Sequence, residues 1–428
     1  MKKKVFLYSD CYFFAGCENI IVNILSNKKI LNDFDVTLGY RYSEPYEKGL
    51  NLRVDTTGLK IKKIFLLAEL DTVQTHLESV ISNTYLLAFL STFLKGIYYC
   101  LYKCKIFFLI DLIVLTSVLS KIKPNIIHVN NGGYPGAESC LALILASYFI
   151  KPEKIYLHVN NIPAPYTNGI LKPLEIAIDK LVFRRVTKVI TASREAGKKL
   201  TEIRGVDASK RKQVFNTILP RKAIRTKNEY LSHRNLPDKL MFAVIAIFEK
   251  RKGHIYMVNA VKKIINERVL NEKFIVVFEG VEGLGKTLKN IQNIIENENL
   301  EPYVKIIGRE ENIMDLMNAA DVLVLPSIEH EDFPIVILEA MYLGKPVIGT
   351  KIGGITEEIE HGRTGLLVEP KDVDAIARAM EYYITTPSKI VEHGNDAKSK
   401  FEKQFDYELI MNEIYNLYSS PLEMPLTE

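Results

Sequence analysis

The sequence predicts an α/β protein with two doubly wound, parallel-sheet domains, and three observations lead to this prediction. The chain has 428 residues, which exceeds the usual length of one domain and makes two domains the natural expectation. Its composition is that of a globular protein, with 47% hydrophobic and 25% charged residues. Short apolar runs alternate with helical patterns along the whole chain, which is typical of buried parallel strands joined by helices.

The apolar runs form two groups. The first group is KVFLYS, FDVTLGY, NIIHVN, KIYLHV and KVITAS, and the second is LMFAVIAIF, KFIVVF, VKIIG, DVLVLPS, PVIGT and GLLVEP. Between them, RKAIRTKNEYLSHRNLPDK (221–239) is charged and has no apolar face, which favours a linker. We therefore predict an N-terminal domain over 1–220, a C-terminal domain over 221–405, and a helix over 406–428 that crosses back to the N-terminal domain.

The charges are divided unevenly between the halves. Residues 1–225 contain 33 basic and 18 acidic residues, whereas residues 226–428 contain 23 basic and 33 acidic residues. A basic half joined to an acidic half indicates that the first half meets an anionic partner, such as nucleic acid, phosphate esters or an anionic membrane. Drift among surface lysines is the alternative.

Cysteine usage and the N-terminus favour a cytoplasmic protein. The five cysteines are odd in number and include no C-x-x-C pair, so neither a disulfide framework nor a zinc site is expected. The start, MKKKVFLYSD, is basic, but its apolar run is short, which favours a first strand over a signal peptide. The cysteines are Cys11, Cys17, Cys100, Cys104 and Cys140.

An apolar segment at 84–120 interrupts the first domain. It reads TYLLAFLSTFLKGIYYCLYKCKIFFLIDLIVLTSVLS, and Lys95, Lys103, Lys105 and Asp111 break it into runs too short to span a bilayer. Aromatic residues interleaved with lysines are typical of a helix that lies in a membrane interface. Core helices with snorkelling lysines are the alternative. The basic first half favours the membrane interpretation slightly.

The stretch GVEGLGKT (280–287) matches the P-loop pattern G-x-x-x-x-G-K-[ST]. In a P-loop, Lys286 would contact the phosphates and Thr287 would hold Mg²⁺. Such a site also needs a carboxylate at the end of a neighbouring apolar strand, and no later strand of this sequence ends in aspartate. We therefore interpret the match as an ordinary turn between a strand and a helix.

The stretch 321–370 places two glutamates around the start of another helix. A strand (VLVLPS) leads into an acidic loop that contains Glu331. A helix then begins near Pro334 and continues through ILEAMYLG, before the strand PVIGT. Glu339 lies on this helix, with seven residues between it and Glu331.

The start of this helix is suited to anion binding. The N–H groups of Ile335 and Val336 fall in the first turn, where they lack intrahelical acceptors, and the helix dipole adds positive potential. Carboxylates only accept hydrogen bonds, so two of them beside a phosphate site indicate a ligand that also carries hydroxyl groups. A nucleotide-sugar has both features. A solvated acidic loop beside one surface glutamate is the alternative.

A longer set of residues carries a family resemblance. In chain order they match the pattern PS-x-x-E-G-F-P…LEAMA-x-G-x-PVI…GG…E…G-x-TG-L-L-V of the retaining glycosyltransferases of family 4, which have the GT-B fold. The segment thus resembles the donor site of that family. The matching residues are Pro326-Ser327, Glu331-Asp332-Phe333-Pro334, Leu338-Glu339-Ala340-Met341, Gly344, Pro346-Val347-Ile348, Gly353-Gly354, Glu357 and Gly362-Arg363-Thr364-Gly365.

The resemblance implies a role for each part of this segment. Glu331 would contact the transferred sugar, and Glu339 the ribose. Asp332 stands where the family usually has glycine. The amides that follow Phe333 and Pro334 in the donor site, those of Ile335 and Val336, would bind the diphosphate.

A second donor-side match lies upstream. The stretch AIFEKRKGH (246–254) is similar to the family's V-G-R-x-x-x-x-K-G. Lys252 then matches the lysine that neutralises the departing diphosphate. Ile247 stands where the family has arginine, so either Arg251 substitutes for it or Lys252 acts alone. For Lys250 and Arg251 a solvated run of charges is the alternative.

The first domain also resembles the family. The stretch FFAGCENIIVNIL (13–25) is similar to its loop G-G-x-E-R, with Ala15, Gly16 and Glu18 at the matching positions. In the family this loop faces the diphosphate and the acceptor, so Gly16 is expected at both.

The same resemblance also suggests an acceptor-side histidine. His158 in KIYLHVNN falls at a strand end, where family members often have an acceptor-side histidine, and His128 in NIIHVN is a rival. A structural histidine is the alternative for each. Ser193 and Asn216 match a serine turn and an N-G-V motif of the family.

The family implies a function and a location. We expect a retaining, nucleotide-sugar-dependent hexosyltransferase that works in the cleft between its domains, with Glu331, Lys252 and His158 as catalytic residues. No metal or other cofactor is expected, since no H-E-x-x-H motif and no paired His/Cys ligand set occurs. The expected partners are the donor, a saccharide or lipid-linked acceptor and an anionic membrane surface, with no nucleic acid.

The biological setting would be bacterial surface-polysaccharide synthesis, of capsule or lipopolysaccharide. The protein would be cytoplasmic and peripheral on the inner face of the plasma membrane. Two alternatives remain, a nucleotide-sugar epimerase of the same fold and a non-catalytic nucleotide-sugar-binding scaffold.

Overall fold

The computed structural model describes residues 1–66, 105–167, 169–267, 273–283 and 285–421. The chain divides into two compact units. The first comprises Met1–Thr191, Lys199–Lys212 and Tyr415–Glu428, and the second comprises Ala192–Lys198 and Gln213–Ile414. Each unit is an α/β structure on its own parallel sheet, which confirms the predicted fold class.

In the part of the chain that the structure describes, the first unit holds seven strands and the helices that cover them. The strands are β1 (Lys3–Ser9), β2 (Phe34–Arg41), β3 (Lys60–Ile64), β4 (Ile126–Asn131), β5 (Lys154–Val159), β6 (Lys188–Thr191) and β7 (Arg211–Gln213). The helices are α1 (Asn19–Ser26), α2 (Lys28–Asp33), α3 (Glu44–Arg53), α4 (Ile106–Ile122), α5 (Glu138–Ile150) and α6 (Lys172–Arg185), followed by α7 (Arg194–Arg204), which the two units share.

The strand order of this sheet is β3-β2-β1-β4-β5-β6-β7. The pairs from β3 to β6 are parallel. The order reverses between β1 and β4, so the loops after these two strands flank a switch point, where α/β proteins usually bind their ligands. The chain reaches this arrangement because its central strands, such as β4 and β5, are buried on both faces and need helices on each side.

Within the described residues, the second unit has six strands. They are β8 (Leu240–Ile245), β9 (Phe274–Glu279), β10 (Val304–Ile306), β11 (Val322–Leu325), β12 (Val347–Thr350) and β13 (Gly365–Val368). Its helices are α8 (Lys227–Arg234), α9 (His254–Glu267), α10 (Thr287–Asn297), α11 (Ile313–Ala319), α12 (Ile335–Tyr342), α13 (Ile355–Glu358), α14 (Val373–Thr385), α15 (Ser388–Gln404) and α16 (Tyr407–Ser419), the last of which enters the first unit at Tyr415.

The strand order of the second sheet is β10-β9-β8-β11-β12-β13, and its pairs are parallel. Its switch point lies between β8 and β11. A fully buried apolar cluster that includes Phe242, Val276 and Val324 fills the space between this sheet and helices such as α9 and α14. The loops after β8 and β11 are therefore held by a rigid base.

The apolar segment at 84–120 is only partly described. Residues 84–104 lie outside the described residues, and the remainder belongs to α4. Leu115 and Leu119 of α4 are buried, whereas Leu109 and Ile113 are 51% and 71% exposed. This helix thus combines a core face with an exposed apolar face. None of the helices within the described ranges is long and apolar enough to cross a membrane.

Candidate functional site

The candidate site lies at the switch point of the second sheet. The loop after β8 carries Lys252, and the loop after β11 carries Glu331. Gly253 allows the two loops to touch: its φ is +72°, and a Cβ there would lie 1.9 Å from the carbonyl oxygen of Pro326. The amide of Ile328 also donates to the carbonyl of Arg251 at 2.7 Å. These backbone contacts bring Lys252 to Glu331.

Glu331 and Lys252 form a nearly buried ion pair. The Nζ of Lys252 lies 2.5 Å from Oε1 of Glu331, and the side chains are 14% and 7% exposed. The hydroxyl of Ser327 donates to the same oxygen at 2.7 Å. A carboxylate held by two donors in a protected place is oriented before any ligand arrives.

Arg251 lies beside this ion pair, whereas Ile247 has an uncharged side chain. A terminal guanidinium nitrogen of Arg251 is 3.6 Å from Oε1 of Glu331, and its Nε donates to Glu249 at 2.8 Å. Ile247 is 39% exposed. The geometry thus gives Arg251 the position from which a second cation can act near Lys252.

Two glycines fix the backbone of the acidic loop. A Cβ on Gly353 would lie 1.7 Å from the carbonyl oxygen of Glu331, and a Cβ on Gly354 would lie 1.7 Å from that of Asp332. Only glycine permits this approach. Phe333 anchors the other end of the loop in the core, where it is 4% exposed.

Helix α12 begins directly after this loop. Its first residues are Ile335 and Val336, Pro334 precedes them with φ −70°, and the amide of Ile337 donates to the carbonyl of Pro334 at 3.1 Å. The amides of the first turn have no acceptors within the helix. Helix α12 thus starts where the sequence predicted it, directly after the loop that carries Glu331, and anion binding there stays a prediction.

Glu339 makes a contact that sequence reasoning missed. On α12 it is 8% exposed. Its Oε1 accepts a hydrogen bond of 2.5 Å from Arg221. Arg221 precedes Glu339 by 118 residues, and no local pattern links the two. The carboxylate expected to hold ribose is thus ion-paired.

Asp332 and Glu358 are buried carboxyl groups next to the site. Asp332 accepts a hydrogen bond from the hydroxyl of Ser193, and its Oδ2 has no hydrogen-bond partner among the described residues. Burial raises the pKa of Asp332 to about 7. Burial, with the charges of Glu331 and Asp332, also raises the pKa of Glu358 well above its ordinary value.

Ser193 and Asn216, both expected from the resemblance, hold this loop. Asn216 donates to the carbonyl of Phe333 at 2.9 Å. Glu357 accepts hydrogen bonds from the amides of Arg194 at 2.8 Å and Glu195 at 3.4 Å, so it caps the first turn of α7. Glu357 is therefore a structural residue.

In the P-loop-like stretch, one side chain of the stretch itself caps the helix that follows. The carboxylate of Glu282 accepts from the amide of Leu288 at 3.0 and 3.1 Å, in the first turn of α10. Lys286 is exposed, and a Cβ on Gly280 would lie 2.1 Å from the carbonyl oxygen of Ala246. The glycine serves loop packing, and a carboxylate lies where a phosphate would need to bind.

In the first unit, the loop after β1 carries Gly16. A Cβ on Gly16 would meet no atom within 4 Å. Ala15 has φ −112°, an ordinary value for alanine. Glu18 is fully buried and accepts hydrogen bonds from Tyr46 at 2.5 Å and Asn130 at 2.9 Å. Gly16 thus lies in an open loop, and Glu18 supports that loop from inside.

The two candidate histidines lie together inside the first unit. His158 is 1% exposed and stacks on His128 with ring centroids 5.6 Å apart. His128 shares a 2.6 Å hydrogen bond with Tyr418 of α16. Burial lowers the pKa of His158 to about 4. Both rings are neutral core groups near neutral pH.

The chain resembles known proteins in sequence at its C-terminal unit. Residues 227–400 match the family model "Glycosyl transferases group 1". The chain is 32% identical to N-acetyl-alpha-D-glucosaminyl L-malate synthase of Bacillus anthracis, over 41% of this chain and 44% of that protein. It is 27% identical to the capsular polysaccharide biosynthesis glycosyltransferase CapM of Staphylococcus aureus, over 46% of this chain and 50% of that protein.

Solved structures match over a longer range. The Anabaena protein Alr3699/HepE, in complex with UDP and glucose, superposes with a TM-score of 0.74 at 18% identity, covering 98% of this chain and 100% of the other. At this identity the match shows the fold, which is that of the GT-B glycosyltransferases.

These findings concern the C-terminal unit and the fold. Residues 227–400 resemble the glycosyl transferases group 1 domain, the fold is that of the GT-B glycosyltransferases, and the relatives include a glycosyltransferase of capsular polysaccharide biosynthesis. The matches span about half the length of the curated relatives quoted above. The epimerase and scaffold alternatives are not favoured by these relatives.

Proposed function

We propose that this protein is a retaining hexosyltransferase of family 4 that takes its sugar from a nucleotide-diphosphate-sugar. The observation that carries the proposal is the protected Lys252–Glu331 ion pair beside the open first turn of α12. A cation and free amides suit a diphosphate, and an oriented carboxylate suits sugar hydroxyls. All of these groups belong to one switch point.

Transfer builds up negative charge on the departing diphosphate. Lys252 and the amides of Ile335 and Val336 stabilise that charge from fixed positions, as preorganised electrostatic groups do. When the donor binds, its phosphate oxygens take over part of the coordination of Lys252, and Glu331 becomes free to accept hydrogen bonds from the sugar. Arg251, 3.6 Å from Glu331, supplies a second positive charge.

The same groups make a metal unnecessary in this proposal. Neutralisation of a diphosphate needs positive charge near its oxygens, and two cationic side chains with a helix start provide it. We therefore expect activity without divalent cations. Addition of a chelator should leave the rate unchanged.

Glu339 binds the ribose in this proposal. Its present partner, Arg221, has a side chain that is 47% exposed, so the arginine can turn away toward solvent. Ribose hydroxyls then replace it as donors to the carboxylate. Uridine diphosphate is the first nucleotide to test, because the matched Anabaena structure contains UDP.

The acceptor binds the first unit in this proposal. That unit has a cavity of about 250 Å³ at the N-terminal ends of α4, α5 and α6. Apolar side chains and carboxylates share its wall, which suits an acceptor with both apolar and hydroxyl-bearing parts. Its lining includes Phe108, Leu141, Ile178, Glu138, Glu175 and Asp179. Gly16 remains a candidate contact of the acceptor. His158 is given no role in the transfer reaction, because its ring is buried.

An anionic membrane surface is the proposed docking partner for α4. Ile106, Leu109, Ile110 and Ile113 follow helical spacing and are 37% to 71% exposed. The excess of basic over acidic residues in the first half would strengthen the electrostatic attraction to anionic lipids. We therefore propose that the enzyme works at the inner face of a plasma membrane, where it would extend a lipid-linked saccharide for the bacterial surface.

Vesicle flotation tests the membrane proposal. The protein should float with vesicles that contain anionic lipid, and a Leu109→Glu/Ile113→Glu variant should lose most of this binding. Val391→Glu is the control, since Val391 is 64% exposed but lies in the second unit. Equal flotation of both variants, or no flotation of the parent protein, would reject this surface.

A donor panel tests the transferase proposal. The protein is incubated with UDP-, GDP- and ADP-sugars, and release of nucleoside diphosphate is measured with and without saccharide acceptors. We expect release from one donor, and a loss of about 100-fold or more in Glu331→Gln and Lys252→Met. Lys250→Met is the matched control, because Lys250 lies on the same turn but is exposed. Conversion of the donor to an epimer, or no turnover of any donor, would reject the proposal.

A further inference from the structure

We propose that Cys11, Cys17 and Glu18 form a binding site for a thiophilic divalent cation such as Zn²⁺. The two sulfur atoms lie 3.6 Å apart, and the Cys17 sulfur lies 3.9 Å from Oε1 of Glu18. One ligand atom from each of the three residues lies within 4.8 Å of the others. Cys11 and Cys17 do not form a C-x-x-C pair, so their spacing did not indicate a metal site.

The separations are close to those of a tetrahedral zinc centre. Zinc–sulfur bonds of about 2.3 Å at tetrahedral angles place two sulfurs about 3.8 Å apart, and a zinc–oxygen bond of about 2.1 Å places sulfur and oxygen about 3.6 Å apart. The Cys11–Cys17 distance of 3.6 Å and the Cys17–Glu18 distance of 3.9 Å each differ from these values by a few tenths of an ångström. The third pair, Cys11 and Glu18, has its ligand atoms within 4.8 Å, so Cys17 already lies near both other ligands at about the spacing that a bound ion needs.

The surroundings hold the carboxylate in place. Glu18 is fully buried, and it accepts hydrogen bonds from Ser9 at 2.7 Å, Tyr46 at 2.5 Å and Asn130 at 2.9 Å. Such outer contacts orient the ligands of metal sites and raise their affinity. Both cysteines are only partly buried, so an ion can reach them from solvent.

The neighbouring loop after β4 leaves room for the sulfurs. A Cβ on Gly132 would lie 2.9 Å from the sulfur of Cys11 and 3.1 Å from that of Cys17. A larger residue would therefore push the two sulfurs away from their present positions. The cluster thus lies at the switch point of the first sheet, between the loops that follow β1 and β4.

Binding is a simple ligand exchange. The two thiols release their protons to solvent, and the ion gains two metal–sulfur bonds and one metal–oxygen bond, with water in the fourth position. No oxidant or reductant takes part. Since Gly16 lies between the two cysteines, a bound ion would also fix the backbone that presents it. Any effect on transfer rests on the proposed function, whereas the binding itself does not.

Direct metal binding tests this site. Cys100 and Cys104 are first replaced by serine, so that they cannot contribute ligands. We expect this protein to bind one Zn²⁺ per chain in a calorimetric titration, and to show cobalt–thiolate absorption with Co²⁺. In that background Cys11→Ser and Cys17→Ser should each weaken binding by at least about tenfold. Cys140→Ser should not, because Cys140 is fully buried on α5 and bonds the carbonyl of Asn130.

The outcomes distinguish binding at this cluster from adventitious metal binding elsewhere on the chain. Far-ultraviolet circular dichroism shows whether each variant folds, and the two cysteine variants provide independent tests. No binding by the background protein at micromolar Zn²⁺ overturns the proposal, as does binding that survives both substitutions. A Cys11–Cys17 disulfide that persists under reducing conditions also overturns it. Loss of donor turnover with intact Zn²⁺ binding would instead reject only the proposed function.

Discussion

Glu331 and Lys252 form an ion pair that is almost closed off from water. A protected pair of this kind is costly unless other groups complete its hydrogen bonds, and Ser327 does so here. Its position beside the open end of α12 explains why the chain retains it. The pair holds both side chains ready for a ligand that carries negative charge and hydroxyl groups.

The buried carboxyl of Asp332 gives a prediction for stability. Its pKa is raised to about 7 by burial, against about 3.9 in an unfolded chain. Between these values the folded state binds more protons, so this group's contribution to stability is full below about pH 4 and lost as the pH rises through about 7. A shift of about three units limits the effect to about 4 kcal/mol.

The variant Asp332→Asn isolates this contribution. Urea unfolding at about pH 5 and about pH 8 should show a smaller fall in the free energy of unfolding for the variant than for the parent protein. The charge of Asp332 helps to raise the pKa of Glu358, so both proteins are compared in a Glu358→Gln background. Identical pH dependence of the two proteins would show that Asp332 does not titrate in this range.

Some of these residues could be predicted from the sequence, and others could not. Glu331 and Glu339 were singled out by a local pattern of strand, loop and helix, whereas Lys252 was singled out by the family resemblance. Arg221 could not be found in this way, because it meets Glu339 from 118 residues away. Ser193 is likewise 139 residues from its partner Asp332. Such pairs depend on tertiary contacts that leave no periodic signal.

At the scale of elements, the site depends on loops that touch through glycine. Gly354 lies so close to the carbonyl of Asp332 that a Cβ would be 1.7 Å from its oxygen. Gly354→Ala should therefore displace the acidic loop, lower the free energy of unfolding by about 2 kcal/mol or more, and reduce donor turnover.

Gly133→Ala is the matched control for this substitution. A Cβ on Gly133 would meet no atom within 4 Å, so its stability should change by less than about 1 kcal/mol. Denaturant unfolding of both variants measures the difference. Equal stabilities would mean that the close approach at Gly354 is relieved without cost.

The elements themselves were largely predictable. The helix expected from near Pro334 to Gly344 is α12, which covers Ile335–Tyr342. The P-loop pattern GVEGLGKT suggests a phosphate site only when it is considered alone. In the structure, Glu282 caps α10 where a phosphate would need to bind. That cap is a side-chain contact, and a motif written in glycines and lysine does not record it.

At the scale of the whole molecule, most strands of the two parallel sheets followed from the apolar runs. Each run became a strand because a stretch apolar on both faces is stable only between helical layers. The edge strands β3 and β7, with the sequences KIKKI and RKQ, lie outside these runs and were not predicted.

The composition of the units was predicted in part. A helix that crosses back to the N-terminal domain was expected at the C-terminus, and Tyr415 belongs to the first unit. The assignment of Ala192–Lys198 to the second unit was not foreseen. Contacts such as that between Ser193 and Asp332 join this segment to residues far away in the chain.

The most direct test of the central claim is the binding of a nucleoside diphosphate, measured by calorimetry without divalent metal. The proposed donor site predicts that UDP or another nucleoside diphosphate binds the parent protein, and that Lys252→Met weakens binding at least about tenfold. It also predicts that Lys286→Met, at the exposed P-loop-like lysine, binds as the parent does. Equal binding by Lys252→Met and the parent, or a loss seen only in Lys286→Met, would contradict the account.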